Sequence, residues 1–450
     1  MQLTAEIARK FVAIEKPQNY GLRPASAIGG LNNWAQPSAS PGVVLHLWPV
    51  LGSDSARLVV LLASVLKPVD DTRMRGKFAE TLLSRPHTQV HVAGRAAQAG
   101  RPDHVHGGAS RISQHGIFTG SRLSLDRLRA QWRYWQLLRR LGPNLVIVHA
   151  PELLPLTLLW QWLAPGRRFL YDIRENYALN VSTQGVYQGL IRRVLARGLR
   201  WVEALAARRA QAVLLAEASY ATELPFLTSL PAHRVLVLEN KYQPFADEAL
   251  PKQPVLLPPP GEALQLLYSG TISELNGIRE ALELTEALQR LRPGGAFLTV
   301  VGFCQQPALL EQLESWAARG IPMRLIGGAL PVAHAEIVAA IRGSHLGLAL
   351  YRPHPSTERC RPTKLFEYLA HGLPVLIPDN ALWKEMVVAH DAGLVINLVN
   401  TEATDAAGLL AELDARAAWP GPAFYRQGLP TDVLWAAEGT KLWLLLDSFV

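Results

Sequence analysis

Cysteine is nearly absent from this chain: Cys304 and Cys360 are the only two among 450 residues. That excludes a disulfide framework and a cysteine-rich zinc site, and makes a reducing, cytoplasmic setting the simplest inference. Long apolar runs are missing too. The most apolar segment, 153–164, contains Pro155 and is too short for the roughly 20 residues of a membrane-spanning helix. Residues 1–16 scatter charges through what would have to be the apolar part of a signal peptide, so none is expected there. No Asp-x-Asp pair follows a predicted strand, and no metal site is expected. No recognition module accompanies the positive charge, so nucleic acid is not an expected partner. A soluble or peripheral protein remains.

What is present is ample core and excess base. Hydrophobic residues make up 49% of the chain and the formal net charge is +8, mostly from arginine. The length allows two or three domains. The charge suits acidic ligands such as nucleotides, or anionic lipid surfaces.

Residues 1–55, rich in Pro, Gly, Ser and Asn, show no sustained period and read as an extension without an assigned role. From residue 56 apolar runs of strand length (58–66, 90–92, 145–149, 169–173, 213–216, 235–238) alternate with helical segments. Such alternation predicts an α/β domain over 56–240, doubly wound on a parallel sheet. Prolines from Pro244 to Pro260 mark a linker over 241–263. A second alternating set (264–268, 297–301, 323–326, 346–350, 374–377, 393–396) predicts a second domain over 264–430. Its strands run into polar or glycine-bearing loops, including Ser269-Gly270-Thr271 and Gly327-Gly328, of the kind that meets ligands at a carboxyl edge. Residues 431–450 form a final helix.

The most informative stretch runs Arg361-Pro362-Thr363-Lys364-Leu365-Phe366-Glu367-Tyr368-Leu369-Ala370-His371-Gly372-Leu373-Pro374-Val375. It reads as a helix with Pro362 at its start, an apolar stripe and a glycine end, followed by a buried strand. Exposed N–H groups and two cations at the helix start suit an anion, and Glu367, one turn on, suits sugar hydroxyls.

This stretch resembles the nucleotide-sugar site of GT-B glycosyltransferases of the retaining family 4 (group 1) type. The resemblance covers roughly 56–450 and implies two Rossmann-like domains facing a cleft, with the C-terminal helix packing back onto the first. It implies that Glu367 holds the ribose, that Gly270, Thr271, Asn276, Arg361, Thr363 and Lys364 surround the diphosphate, and that Gly328 lies near the base. It implies no cofactor, the nucleotide diphospho-sugar being a substrate. Thr271 and Asn276 stand where relatives carry an arginine and a lysine, and Arg359 stands where many carry a first glutamate.

On the other domain, Asp70-Asp71-Thr72-Arg73, His149-Ala150-Pro151-Glu152-Leu153 and Tyr171-Asp172-Ile173-Arg174-Glu175-Asn176-Tyr177 resemble three elements of the family in the same order. The resemblance puts Arg73, His149 and Glu152 on the acceptor side. Arg174 replaces the histidine that lies by the reacting sugar, and arginine cannot act as a base. Arg174 is then expected to stabilise phosphate charge, with Glu175 or Asp172 orienting the acceptor hydroxyl. The expected activity is metal-independent transfer of a sugar to a hydroxyl of a cell-surface glycan or glycolipid. Rival readings are a nucleotide-sugar epimerase of the same fold and a binding or scaffold protein that has lost transfer. Two arginine-rich segments, 122–141 and 190–209, carry tryptophans and suit an anionic membrane surface, which is expected as a further partner on the inner face of the membrane.

Overall fold

The computed structural model describes residues 58–96, 111–121, 124–183, 189–355, 357–397 and 403–449, so the extension over 1–55 lies outside the described residues. Asp54–Val450 is one compact unit. It contains two parallel sheets. The first comprises β1 (Leu58–Pro68), β2 (Thr88–Arg95), β3 (Ile112–Phe118), β4 (Leu145–Val148), β5 (Arg168–Ile173), β6 (Ala212–Leu215) and β7 (Val235–Val237), in the order β3-β2-β1-β4-β5-β6-β7. The second comprises β8 (Leu264–Ile272), β9 (Ala296–Cys304), β10 (Met323–Gly328), β11 (Leu346–Leu348), β12 (Val375–Pro378) and β13 (Gly393–Ile396), in the order β10-β9-β8-β11-β12-β13. Both wind outward from their first strand in one direction and then reverse. Each therefore has a switch point, between β1 and β4 and between β8 and β11, where a crevice opens at the carboxyl edge.

The central strands are apolar on both faces because both faces are covered; Val60, Leu61, Leu62 and Ala63 are all fully buried. One face of the first sheet packs against helices Asp126–Leu141, Leu154–Trp162 and Gly189–Arg209. The other face packs against Met74 and Phe78 of the helical turn Thr72–Ala79 and against Trp435, Leu442 and Leu446 of the last helix, Trp435–Asp447. The last helix is held to the first domain by Trp435 Nε1 donating to Thr81 Oγ1 at 2.9 Å and by a bidentate Arg85–Asp447 pair at 2.5 and 2.7 Å.

Two details depart from the pattern read in the sequence. β3 is an extra edge strand, Ile-Ser-Gln-His-Gly-Ile-Phe, pairing with β2 from Val90↔Ile112. An edge strand is not obliged to be apolar, so it leaves little trace in hydropathy. Ser269-Gly270-Thr271 is not a loop but the end of β8, which stays paired with β9 as far as Ile272↔Cys304. The Gly270 carbonyl lies so close to Gly302 that a Cβ there would sit 1.7 Å from it, so the extended pair requires glycine at 302.

The segment after β7 is fastened along its length. Tyr242 exchanges backbone hydrogen bonds with Val433 and Trp435, and Val255 N donates to Gly372 O at 2.9 Å. Glu248 accepts from the Tyr242 hydroxyl at 2.7 Å and contacts His371 Nε2 at 2.9 Å.

Candidate functional site

A cavity of about 330 Å³ lies where the carboxyl edge of the second sheet meets the first domain. It is within the range of small-molecule sites. Gly270, Thr271, Asn276, Thr363, Lys364 and Glu367 line it from the second domain, Lys77 and Asn240 from the first, and Tyr242 and Phe245 from the segment between.

Helix Thr363–Ala370 positions the two central side chains. Its apolar stripe, Leu365, Phe366 and Leu369, is buried and anchors it. Its far end closes with Gly372 at φ +63°, where Gly372 N donates to Leu369 O and Leu373 N to Tyr368 O. That pair of bonds satisfies carbonyls a helix otherwise leaves open, and the left-handed residue favours glycine. The first helical residue is Thr363, with Pro362 in the flanking position.

Lys364 is only 6% exposed, and its Nζ has no hydrogen-bond partner among the described residues. The ammonium lies 4.5 Å from the ring centre of Tyr268 and 5.1 Å from that of Tyr351, on either side of the β8–β11 switch point. Burial pushes its pKa down to about 7, against a smaller opposing pull from the Glu367 charge. Aromatic faces attract a cation but replace only part of its lost hydration. At Gly270, φ +98°, the only atom near an added Cβ is Lys364 Cε at 3.8 Å, so the backbone of β8 faces the lysine across open space.

One turn along, Glu367 Oε1 contacts His334 Nε2 at 2.6 Å. His334 begins helix His334–Arg342 and sits against Phe245, at 4.6 Å between ring centres, and Tyr242, at 6.0 Å. From the first domain, Lys77 Nζ donates to Asn240 Oδ1 at 2.6 Å and to Asn240 O at 3.1 Å. Burial, and then the neighbouring Arg73 charge, lower the pKa of Lys77 well below the usual lysine range. His334, Lys77, Tyr242 and Phe245 were not singled out in the sequence. They converge from three places, the Thr72–Ala79 turn, the segment after β7 and the start of helix His334–Arg342, with no motif in common.

Two residues assigned to the donor by resemblance lie elsewhere. Arg361 points to Glu239 of the first domain, 2.7 Å away, while its backbone N–H donates to Glu217 at 3.0 Å. It lines a neighbouring cavity of about 630 Å³, not the one around Glu367. Gly328, φ +75°, faces Leu310 and Leu325 and is likewise not part of the Glu367 cavity. Thr271 and Asn276 line the Glu367 cavity, joined by an Asn276 Nδ2 donation to Thr271 O at 2.9 Å.

On the first domain, the carboxyl edge carries a chain of ion pairs. Asp172 is fully buried and takes a bidentate Arg73 guanidinium at 2.9 and 2.7 Å and His149 Nδ1 at 2.7 Å. Burial pushes its pKa up, but Arg73 and His149 outweigh that and hold it well below the usual carboxylate range. Burial keeps His149 toward its neutral form against the pull of Asp172. Arg73, His149 and Asp172 thus form a core cluster beneath the cleft, not a surface open to an acceptor. Glu152 pairs with Arg127 at 3.2 Å. Above the cluster, Arg174 makes a bidentate pair with Asp71 at 2.8 and 3.0 Å, and Glu175 pairs with Lys67 at 3.0 Å. Asp71 also accepts from the backbone N–H groups of Arg73 and Met74, so one carboxylate starts the Thr72–Ala79 turn and holds Arg174. Burial raises the Asp71 pKa but Arg174 prevails, bringing it to about 2.

Residues 73–241 match the family model described as a glycosyl transferase 4-like domain. No curated protein matches the chain. Among solved structures, the catalytic domain of starch synthase IV from Arabidopsis thaliana, bound to ADP and acarbose, is similar with a TM-score of 0.59 at 14% identity, over 87% of this chain and 99% of that one. HepE from Anabaena, in complex with UDP and glucose, gives 0.56 at 13%, over 87% and 100%. UDP-GlcNAc 2-epimerase from Neisseria meningitidis, bound to UDP-GlcNAc, gives 0.52 at 12%, over 87% and 100%. At these identities the likeness is of fold alone. The two parallel sheets with their flanking helices, shared with these structures, make the GT-B fold.

Proposed function

We propose that the protein transfers a sugar, of hexosyl type, from a nucleotide diphospho-sugar to a hydroxyl of a cell-surface glycan or glycolipid, with retention at the anomeric carbon. The observation that carries the donor half is Lys364, a buried ammonium without a hydrogen-bond partner among the described residues, facing the β8 backbone in a cavity that also holds Glu367. Such a cation is costly until an anion meets it, and a diphosphate has the right charge. Glu367, now against His334, would exchange that contact for the ribose hydroxyls. In the transfer, the bond from the anomeric carbon to the diphosphate breaks and a bond to the acceptor oxygen forms on the same face. The leaving phosphate oxygen takes the acceptor proton. No cofactor or metal enters this scheme. The reading places the protein in the cytoplasm, peripheral to the inner face of the membrane.

One observation favours a second reading, a nucleotide-sugar-binding protein without transfer. Arg174 is already satisfied by Asp71 instead of standing free for developing charge. The epimerase reading draws on fold likeness alone.

Calorimetric titration with UDP, GDP, ADP and CMP tests the donor site. One nucleotide is expected to bind, and Glu367→Ala to weaken it about 10- to 100-fold, the range for a hydrogen bond to a charged group. If none binds while a short DNA or RNA oligomer does, the reading is wrong. Donor hydrolysis by the purified protein then separates the transferase from the silent binder.

A further inference from the structure

The outer face of the first domain is unlike the rest of the surface. Helices Asp126–Leu141, Leu154–Trp162 and Gly189–Arg209 lie side by side on one side of the first sheet. Of the sixteen large apolar side chains exposed among the described residues, ten belong to these helices or their caps. Trp132, Trp162 and Trp201, one on each helix, are 61, 79 and 67% exposed. These are not core positions that happen to show. On Asp126–Leu141 the buried stripe is Ala130, Tyr134, Leu137 and Leu138, while Leu128 and Trp132 sit on the opposite side.

Charge on the same face has one sign. The first and third helices carry eleven arginines and no lysine. Their only acids are Asp126, held by Thr119, Gly120 and Arg133, and Glu203, which is fully buried. Arg129, Arg139, Arg193 and Arg197 are exposed and make no ion pair among the described residues. A groove of about 810 Å³ opens between Trp162, Leu205, Arg208 and Arg209, with Phe449 on its far side, combining apolar walls with guanidinium groups.

We propose that this three-helix face docks on an anionic lipid bilayer. Its tryptophans and leucines enter the boundary between headgroups and acyl chains, and its arginines meet lipid phosphates. Exposed tryptophan beside unpaired arginine suits that boundary, which accepts an apolar body and supplies anions at the same depth. A protein partner would bury the same arginines and would need carboxylates to match each one, whereas an anionic leaflet supplies charge at every position. Among the described residues no helix is long and apolar enough to cross a membrane, so attachment by this face is at the surface. The inference deepens the reading above by assigning the surface that would bring the protein to a lipid-linked acceptor.

The test is co-sedimentation of the full chain with vesicles of phosphatidylcholine alone and of phosphatidylcholine with phosphatidylglycerol, at low and raised salt. The chain is expected to sediment with the anionic vesicles and to be released by salt. Arg129→Gln, Arg139→Gln and Arg197→Gln together should weaken binding about 100-fold, from about fivefold for each charge near the surface. Trp132→Ser, Trp162→Ser and Trp201→Ser together should weaken it at least about tenfold. Circular dichroism and calorimetric nucleotide affinity, unchanged in both variants, show that fold and donor site survive. Equal binding to neutral vesicles, variants that bind as the parent does, or a solution dimer lost in the tryptophan variant would each overturn the proposal. Nucleotide binding without vesicle binding removes the docking face and leaves the donor reading standing; vesicle binding without nucleotide binding does the reverse.

Discussion

Lys364→Met is expected to reduce nucleotide affinity at least about 100-fold, equivalent to about 3 kcal/mol, while raising thermal stability. The two effects share one cause. The ammonium sits between Tyr268 and Tyr351 with no hydrogen-bond partner among the described residues, so the folded protein bears its desolvation until an anion arrives. Methionine fills similar space without charge, and the variant should gain about 2 kcal/mol of stability at neutral pH. The pH dependence has a definite sign. Burial lowers the lysine from 10.5 to about 7, so the destabilisation is present in full below pH 7 and fades as pH rises toward 10.5. The stability advantage of Lys364→Met should fade over the same window. Nucleotide affinity should run the same way: above pH 7 the free protein must take up a proton to present a cation. Binding of a nucleotide diphospho-sugar, whose phosphates do not titrate there, should weaken about tenfold for each unit above pH 7. Calorimetry in buffers of different ionisation enthalpy measures that uptake directly. A pH-independent affinity in the parent, or an affinity unchanged in the variant, would remove Lys364 from the donor site.

Asp172→Asn is expected to cost about 3–5 kcal/mol of stability and to lower the unfolding midpoint by about 10 °C, while nucleotide affinity stays within about threefold. The substitution keeps shape but leaves the Arg73 guanidinium, 1% exposed, without its counter-charge. Because Arg73 and His149 hold Asp172 below the usual range despite its burial, the ionised carboxylate stabilises the fold above about pH 4. That contribution is lost as pH falls through the folded-state value. Asp71, at about 2, loses its contribution in the same direction. The acid limb of the parent's stability profile should therefore be shallower in the variant. Urea unfolding at pH 7 and at pH 3 measures both effects. A loss of transfer with unchanged stability would return Asp172 to the acceptor site.

These two residues show how far the sequence could be read. Lys364 and Glu367 lie on one short helix, so their spacing alone places them together, and the helix start and glycine end were both legible. Asp172 and His149 were legible as strand-end residues, but a short motif carries order along the chain and not depth. Only the packing of the Thr72–Ala79 turn and the Trp435–Asp447 helix over them decides that they are interior. Arg361 failed for a related reason. Next to a helix start it reads as an anion contact, yet Glu239 and Glu217, more than a hundred positions away, claim its guanidinium and its N–H.

The sequence by itself determined two doubly wound parallel sheets, because strands covered on both faces must be continuously apolar and their alternation with helices leaves few topologies. It also determined the helix Thr363–Ala370, its glycine end and the strand that follows, because the apolar stripe, the Gly372 turn and the buried run are each set by residues a few positions apart. Tertiary structure alone decided the rest. It brought His334, Lys77 and Tyr242 to Glu367, buried Asp172 with Arg73, and turned ten apolar side chains outward among arginines. Each of these depends on contacts between segments far apart in the chain, and no local period encodes which distant charge a side chain will meet.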